Sequence, residues 1–200
     1  MNIRKINLLL SLIVVTIAIF MISYPFIPLI ILEIKKNTDN THGYIYKSNL
    51  VNNEIKNNTI NIDSIGLKPK PTDNTLIIPS IHVDAKINEG DISSLNKGIW
   101  HIPRTSSSDI GGNMVLASHR FLYTSGSNTF YNLDKLKIND KFLIFWNQKE
   151  YDYQITNISI VSPNAIEIEN NTQEPIVTLF TCTPLWTSTN RLVVVAKAIN

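Results

Sequence analysis

Cys182 is the only cysteine in a chain of 200 residues, and it closes the run Thr178-Leu179-Phe180-Thr181-Cys182. Arg191 follows across a short connection and opens a second apolar run, Leu192-Val193-Val194-Val195. If these runs are adjacent antiparallel strands, the connection lies between Thr183 and Asn190, and thiol and guanidinium flank its base. Alternation along a strand puts Thr178, Phe180 and Cys182 on one face and Leu179 and Thr181 on the other. Upstream, Asn113-Met114-Val115-Leu116-Ala117-Ser118-His119 reads as an apolar strand ending in an imidazole, with Val115, Ala117 and His119 sharing a face. A thiolate attacks an amide carbonyl and keeps the acyl group as a thioester, which an amine or water then releases. Ordinary pKa values of about 8.5 for Cys and about 6.5 for His leave the thiol mostly protonated near neutrality, and positive neighbours favour the thiolate. An imidazole can act there as acid and base, whereas a guanidinium stays charged and instead holds a carbonyl or a developing oxyanion.

Each residue taken singly has a plainer reading. A lone cysteine is often a small buried hydrophobe, His119 could be a solvated strand-end residue beside Arg120, and Arg191 a polar residue ahead of an apolar strand. Periodicity alone does not bring His119 to Cys182. The combination, together with Gly98-Ile99-Trp100-His101-Ile102-Pro103 and Gly111-Gly112-Asn113, resembles the sortase family from about Asn74 to the end of the chain. Sortases are membrane-anchored enzymes that attach surface proteins to bacterial cell walls.

The resemblance implies Cys182 as nucleophile, His119 as general acid and base, and Arg191 as the carbonyl or oxyanion donor. It also implies that the backbone amide of Thr181 or a close neighbour completes the oxyanion hole. The implied partners are surface proteins carrying a Leu-Pro-x-Thr-Gly-like sorting signal and an amine acceptor on cell-wall peptide. Trp186, in the loop after Cys182, either shapes the substrate groove or packs that loop, and Ala165-Ile166-Glu167-Ile168 would line the groove. Cys182-Thr183-Pro184 is similar to the pilus-polymerising sortases, but their Asp-Pro-aromatic lid motif and C-terminal membrane segment are absent from this sequence. The Trp-His-Ile-Pro and Gly-Gly-Asn-Met-Val-Leu-Ala-Ser-His-Arg stretches look more like the single-anchor classes D and E. Two rivals stay open on the same residues: a membrane-tethered cysteine endopeptidase using water, and a non-catalytic membrane-tethered β-barrel binding module.

Short runs rich in β-branched residues recur between turn signals at Thr75–Ile78, His82–Ile87, Asn113–Ser118, Lys141–Trp146, Tyr151–Ile160, Pro175–Cys182 and Arg191–Ile199. Such spacing predicts an all-β sandwich or barrel; with the resemblance, it becomes a sortase-like closed β-barrel of about seven to eight strands with short helices. Tyr131–Leu136 reads as a helical turn. Trp100 and Trp146 are expected in the core or at the barrel rim, and His101 in a turn-like segment with a structural role.

No charged residue occurs from Ile6 to Leu32. Its first nineteen residues, Ile6 to Tyr24, would span roughly 30 Å as a helix, close to the hydrocarbon core of a bilayer. The expected organisation is therefore a cytoplasmic N-terminus over 1–5, a transmembrane anchor over 6–32, a polar stalk over 33–73 with a short helix around Leu50–Ile55, and a catalytic domain over 74–200. An uncleaved anchor is favoured over a signal peptide because no small-x-small site follows the long apolar run. Orientation comes from the resemblance: a single-pass protein of the bacterial cell membrane, its catalytic domain outside. A net charge of +2 with no basic cluster argues against nucleic acid, a lone thiol cannot form an intrachain disulfide, and no clustered ligands suggest a metal or other cofactor.

Overall fold

The computed structural model describes residues 3–27, 30, 70–121 and 129–199. The chain divides into two compact units, Met1–Thr38 and Asp39–Asn200. In the first, α1 (Ile3–Ser23) runs into a 3-10 turn, Tyr24–Phe26, where Pro25 interrupts the helical pattern. Leu8 to Met21 leave a wholly exposed apolar surface. Arg4 and Lys5 occupy its first turn, however, and among the described residues no helix is long and apolar enough to cross a membrane. The helix thus accounts for only part of the anchor expected over 6–32; residues 28, 29, 31 and 32 lie outside the described residues, as do the helix expected around Leu50–Ile55 and the stalk up to residue 69.

The second unit is a closed eight-stranded barrel. Its strands are β1 (Thr75–Ile78), β2 (Val83–Asn88), β3 (Ile99–His101), β4 (Asn113–Ala117), β5 (Lys141–Trp146), β6 (Lys149–Val161), β7 (Ile176–Thr183) and β8 (Asn190–Ala198). They close in the order β1-β2-β3-β4-β7-β8-β6-β5. Neighbours are antiparallel except for two parallel pairs, β2 with β3 and β4 with β7. Period-two alternation sends Val83, Ala85 and Ile87 of β2 inward, where they meet Leu76, Phe142, Ile144, Tyr153, Leu179 and Val194. Each such side chain contributes about 1.5–3 kcal/mol by leaving water.

Two expectations are corrected. The segment around Trp100, read as turn-like, contains β3, whose three residues pair with β2 through Ile87↔Ile99 and with β4 through His101↔Leu116. A strand this short shows no readable alternation, so its partners define it. His82 lies just outside β2 in the left-handed region at φ 57°, where the 3-10 turn Pro79–Ile81 ends. The helical turn expected over Tyr131–Leu136 is present as Leu133–Lys135. β6 pairs first with β5 and then with β8, and its register shifts between Ile155 and Asn157; one extra residue bends a strand that must serve two neighbours.

The outer face of β3, β4 and β7 is also apolar. Ile102, Val115 and Ala117 are buried there against Leu95, Trp100 and Phe180. This second layer forms a floor outside the barrel wall, on the face that the alternation assigns to Cys182 and His119.

Candidate active site

β7 and β8 pair from Ile176↔Lys197 to Thr183↔Asn190, and Cys182 sits directly opposite Arg191. On β7, Val177, Leu179, Thr181 and Thr183 are buried, while Phe180 and Cys182 are half-buried on the other face. Cys182, Arg191, His119 and Thr181 all line one cavity of about 430 Å³. Its floor is Leu95, Trp100, Ile102, Ala117 and Phe180; one wall is Pro163, Ala165, Ile166, Ile168 and Glu169. A larger cavity of about 530 Å³, between Thr72–Asn74, Lys86–Glu89 and Asn147–Gln148, contains neither thiol nor imidazole and cannot perform the chemistry.

Ser118 sets the distance between the two strand ends. Its backbone N–H donates to the Phe180 carbonyl at 3.3 Å, its Oγ donates to the Gly98 carbonyl at 3.0 Å, and its carbonyl accepts from Thr181 Oγ1 at 2.7 Å. The residue before His119 is thereby tied to the two residues before Cys182. One position further along, the buried Arg120 reaches past the site: Nη1 donates to Thr183 Oγ1 at 2.7 Å, and Nη2 pairs with Asp134 Oδ2 at 2.8 Å. Thus His119 and Cys182 are bracketed on both sides by bonds between their neighbours. Charge-assisted bonds of this kind have narrow geometry and so fix the backbone.

His119 Nε2 lies 3.3 Å from Asn96 Oδ1, and its ring stacks on Phe121 with centroids 4.5 Å apart. Partial burial holds its pKa below the ordinary histidine value, because the protonated ring loses hydration there. Arg191 Nη1 donates to the Ser188 and Asn190 carbonyls at 3.3 and 3.0 Å, which keeps the guanidinium against the loop that leaves Cys182. Thr181 directs its hydroxyl to the Ser118 carbonyl and pairs with Leu192 across β7 and β8.

Trp186 does not line this cavity. It is 84% exposed and left-handed at φ 77° in the β7–β8 loop. Trp100 does line the cavity, whereas Trp146, 5% exposed, belongs to the barrel core. His101 has the structural role expected of it: buried, with Nε2 2.8 Å from the Ser106 carbonyl and its ring edge-on to Trp146. Asn96, Ser118 and Asn113 were not foreseen as site residues. Isolated polar residues carry no periodic signal, and only their partners reveal them.

Residues 76–199 match the family model described as the sortase domain, which is more than half of the chain. Sortase A of Bacillus anthracis is 30% identical over 88 residues, or 44% of this chain and 41% of that protein. Among solved structures, sortase C1 of the GBS pilus island 1 superposes with a TM-score of 0.59 and 36% identity, covering 64% of each chain. Sortase C-1 from Actinomyces oris gives a TM-score of 0.58 and 32% identity over 64% of this chain and 73% of that one. The chain therefore spans less than two thirds of the curated relative and of the GBS enzyme. The family match runs from β1 through β8 and so includes both strands that end at the cavity; the chain belongs to the sortase family.

Proposed function

We propose that this chain is a cysteine transpeptidase that cleaves a Leu-Pro-x-Thr-Gly-like sorting signal and transfers the acyl group to an amine. Cys182 Sγ, as thiolate, attacks the carbonyl carbon at the scissile Thr-Gly bond, and the Arg191 guanidinium holds the oxygen as it gains charge. Collapse of the adduct breaks the C–N bond, and protonated His119 gives its proton to the departing amine. The thioester then meets an incoming amine, which loses a proton to the neutral imidazole as the new amide forms and the thiolate departs. The observation that carries this reading is one cavity lined by Cys182, His119 and Arg191, with the first and last directly paired across β7 and β8. Family membership supports the same reaction class.

The partners are proteins bearing the signal and an amine on cell-wall peptide. We place the catalytic domain outside the cell, with the apolar segment 6–32 as anchor; the exposed apolar surface of α1 supports this, because such a surface needs lipid or a protein partner to cover it. The pilus names of the matched structures belong to those proteins, and for this chain we keep the single-anchor reading.

Competition between acceptors tests the reaction. A soluble fragment beginning near Lys70 is given a signal peptide and increasing concentrations of structurally different amines, and the amide-to-acid ratio is read by mass spectrometry. The amide product should rise with amine concentration, and Cys182→Ala should give neither product. Acid alone at every amine, with an acyl group found on Cys182, makes the chain an endopeptidase. No acyl-enzyme with any signal peptide would favour a binding module.

A further inference from the structure

Asn113 opens β4 and is 3% exposed, deep enough that an unused amide would be costly. Its bonding capacity is used across three elements. Nδ2 donates to the carbonyls of Ile168 and Asn170 at 2.9 and 3.0 Å, and Oδ1 accepts from Thr178 Oγ1 at 2.8 Å. Its backbone N–H donates to Asn171 Oδ1 at 3.1 Å. β4 leads to His119, Thr178 lies on the strand that leads to Cys182, and Ile168 and Glu169 line the cavity wall. One carboxamide therefore joins both reactive strands to one side of the groove.

The wall has little else to hold it. The 3-10 turn Ile166–Glu169 has no side-chain cap and buries none of its residues, and Ile166 is 78% exposed. With Ala165 and Ile168 only half-buried, apolar burial holds it weakly. The two bonds from Asn113 fall on the carbonyls before and after Glu169, which fixes the path of the chain where that carboxylate lines the cavity. Next to it, Gly112 has φ 84°, and a Cβ there would lie 2.3 Å from Asn171 Oδ1. A side chain at position 112 would displace the Asn171 carboxamide and break its bond to the Asn113 N–H.

We propose that Asn113 is a positioning residue for substrate selection: its carboxamide sets the width of the groove by fixing the segment Ala165–Asn171, which lines the same cavity as the reacting groups. What fills the groove rests on the function proposed above; the tethering of the wall does not.

Asn113→Asp keeps the shape and the acceptor for Thr178 but replaces both N–H donors with a carboxylate facing two carbonyls. For signal-peptide turnover we expect KM to rise about tenfold or more and kcat to stay within about threefold, the pattern of lost ground-state positioning. Alkylation of Cys182 by iodoacetamide, which needs no wall, should stay within about twofold. Lowering the pH restores one donor as the carboxyl protonates, so the ratio of variant to wild-type KM should shrink from pH 8 toward pH 5. Hydrogen exchange at the amides of Ala165, Ile166 and Asn170 should accelerate while β7 and β8 keep their protection. If Asn113→Asp does not fold, Asn171→Ala, which removes the other bond between position 113 and the wall, is read in the same way.

Unchanged exchange in the wall would overturn the proposal, as would an unchanged KM in a folded variant. So would equal losses in alkylation and turnover, which would make Asn113 a general support of the site. A wild-type protein inert on every signal peptide would count against the proposed function alone, since the exchange measurement still decides whether Asn113 holds the wall.

Discussion

A histidine partly withdrawn from water holds its proton less firmly than one at the surface, and His119 is in that position beside Phe121. The alkaline limb of kcat/KM, where the imidazolium is lost, should therefore lie below about pH 6.5, the ordinary histidine value, because the protonated ring must donate to the leaving amine. Phe121→Ala admits water and should move that limb upward; a limb above pH 7 in the unaltered protein would remove His119 as its source. The sign for stability is the same as for any depressed folded pKa. The neutral ring's contribution is intact above about pH 6.5 and is lost as pH falls through the lower folded value. Arg191 offers a second residue-scale test. A planar fork placed opposite Cys182 is not replaced by a point charge. Arg191→Ala should cost about 10²–10³ in kcat and Arg191→Lys somewhat less, with Cys182 still open to alkylation; full activity in the alanine variant would leave Arg191 a surface charge. Cysteine, histidine and arginine were legible in the sequence because their chemistry is uncommon and their strands are patterned. Asn113 was not, since its importance lies in which carbonyls it meets.

Among the elements, β7 and β8 were readable because both show apolar runs bounded by turn signals, and the pairing that follows puts Cys182 against Arg191. β3 was not, having three residues and two pairs on each side. The buried acid in β6 carries no signal of its own in the sequence: Asp152 stands between Tyr151 and Tyr153 and is 2% exposed. Burial, with Glu150 adding repulsion, raises its pKa to about 6. Since the folded value lies above the unfolded value of about 3.9, its favourable contribution is complete below the unfolded value and disappears as pH rises through about 6. Asp152→Asn should accordingly raise the melting temperature more at pH 8 than at pH 5, by an amount on the order of 2 kcal/mol of stability. Equal shifts at both pH values would show that the folded pKa is not displaced.

For the whole molecule, seven of the eight strands were legible from the pattern, and closure was legible only through the family resemblance. Pairing of β1 with β5 and of β6 with β8 depends on distant chain segments meeting, which no local period encodes. The unit that results has its own core and the cavity lined by Cys182, His119 and Arg191. A fragment beginning near Lys70 should therefore fold cooperatively and process soluble signal peptide at a rate close to that of the full chain; a folded but inactive fragment would mean that the N-terminal unit contributes to catalysis itself.

The parallel pairing of β4 with β7 has a consequence for the time at which activity first exists. No hairpin can nucleate a parallel pair. Ser118 and Thr181, which bond across this one, stand 63 positions apart. Closing so long a loop before its contacts reward it is entropically unfavourable, so pairings of this kind form late in folding. β5 and β6, which lie between the two strands in the chain, must already have been synthesised. Until β4 and β7 meet, Cys182 is a thiol with no imidazole beside it and no groove to hold a peptide. The candidate site is therefore assembled only by a long-range pairing, and any activity it carries depends on that pairing.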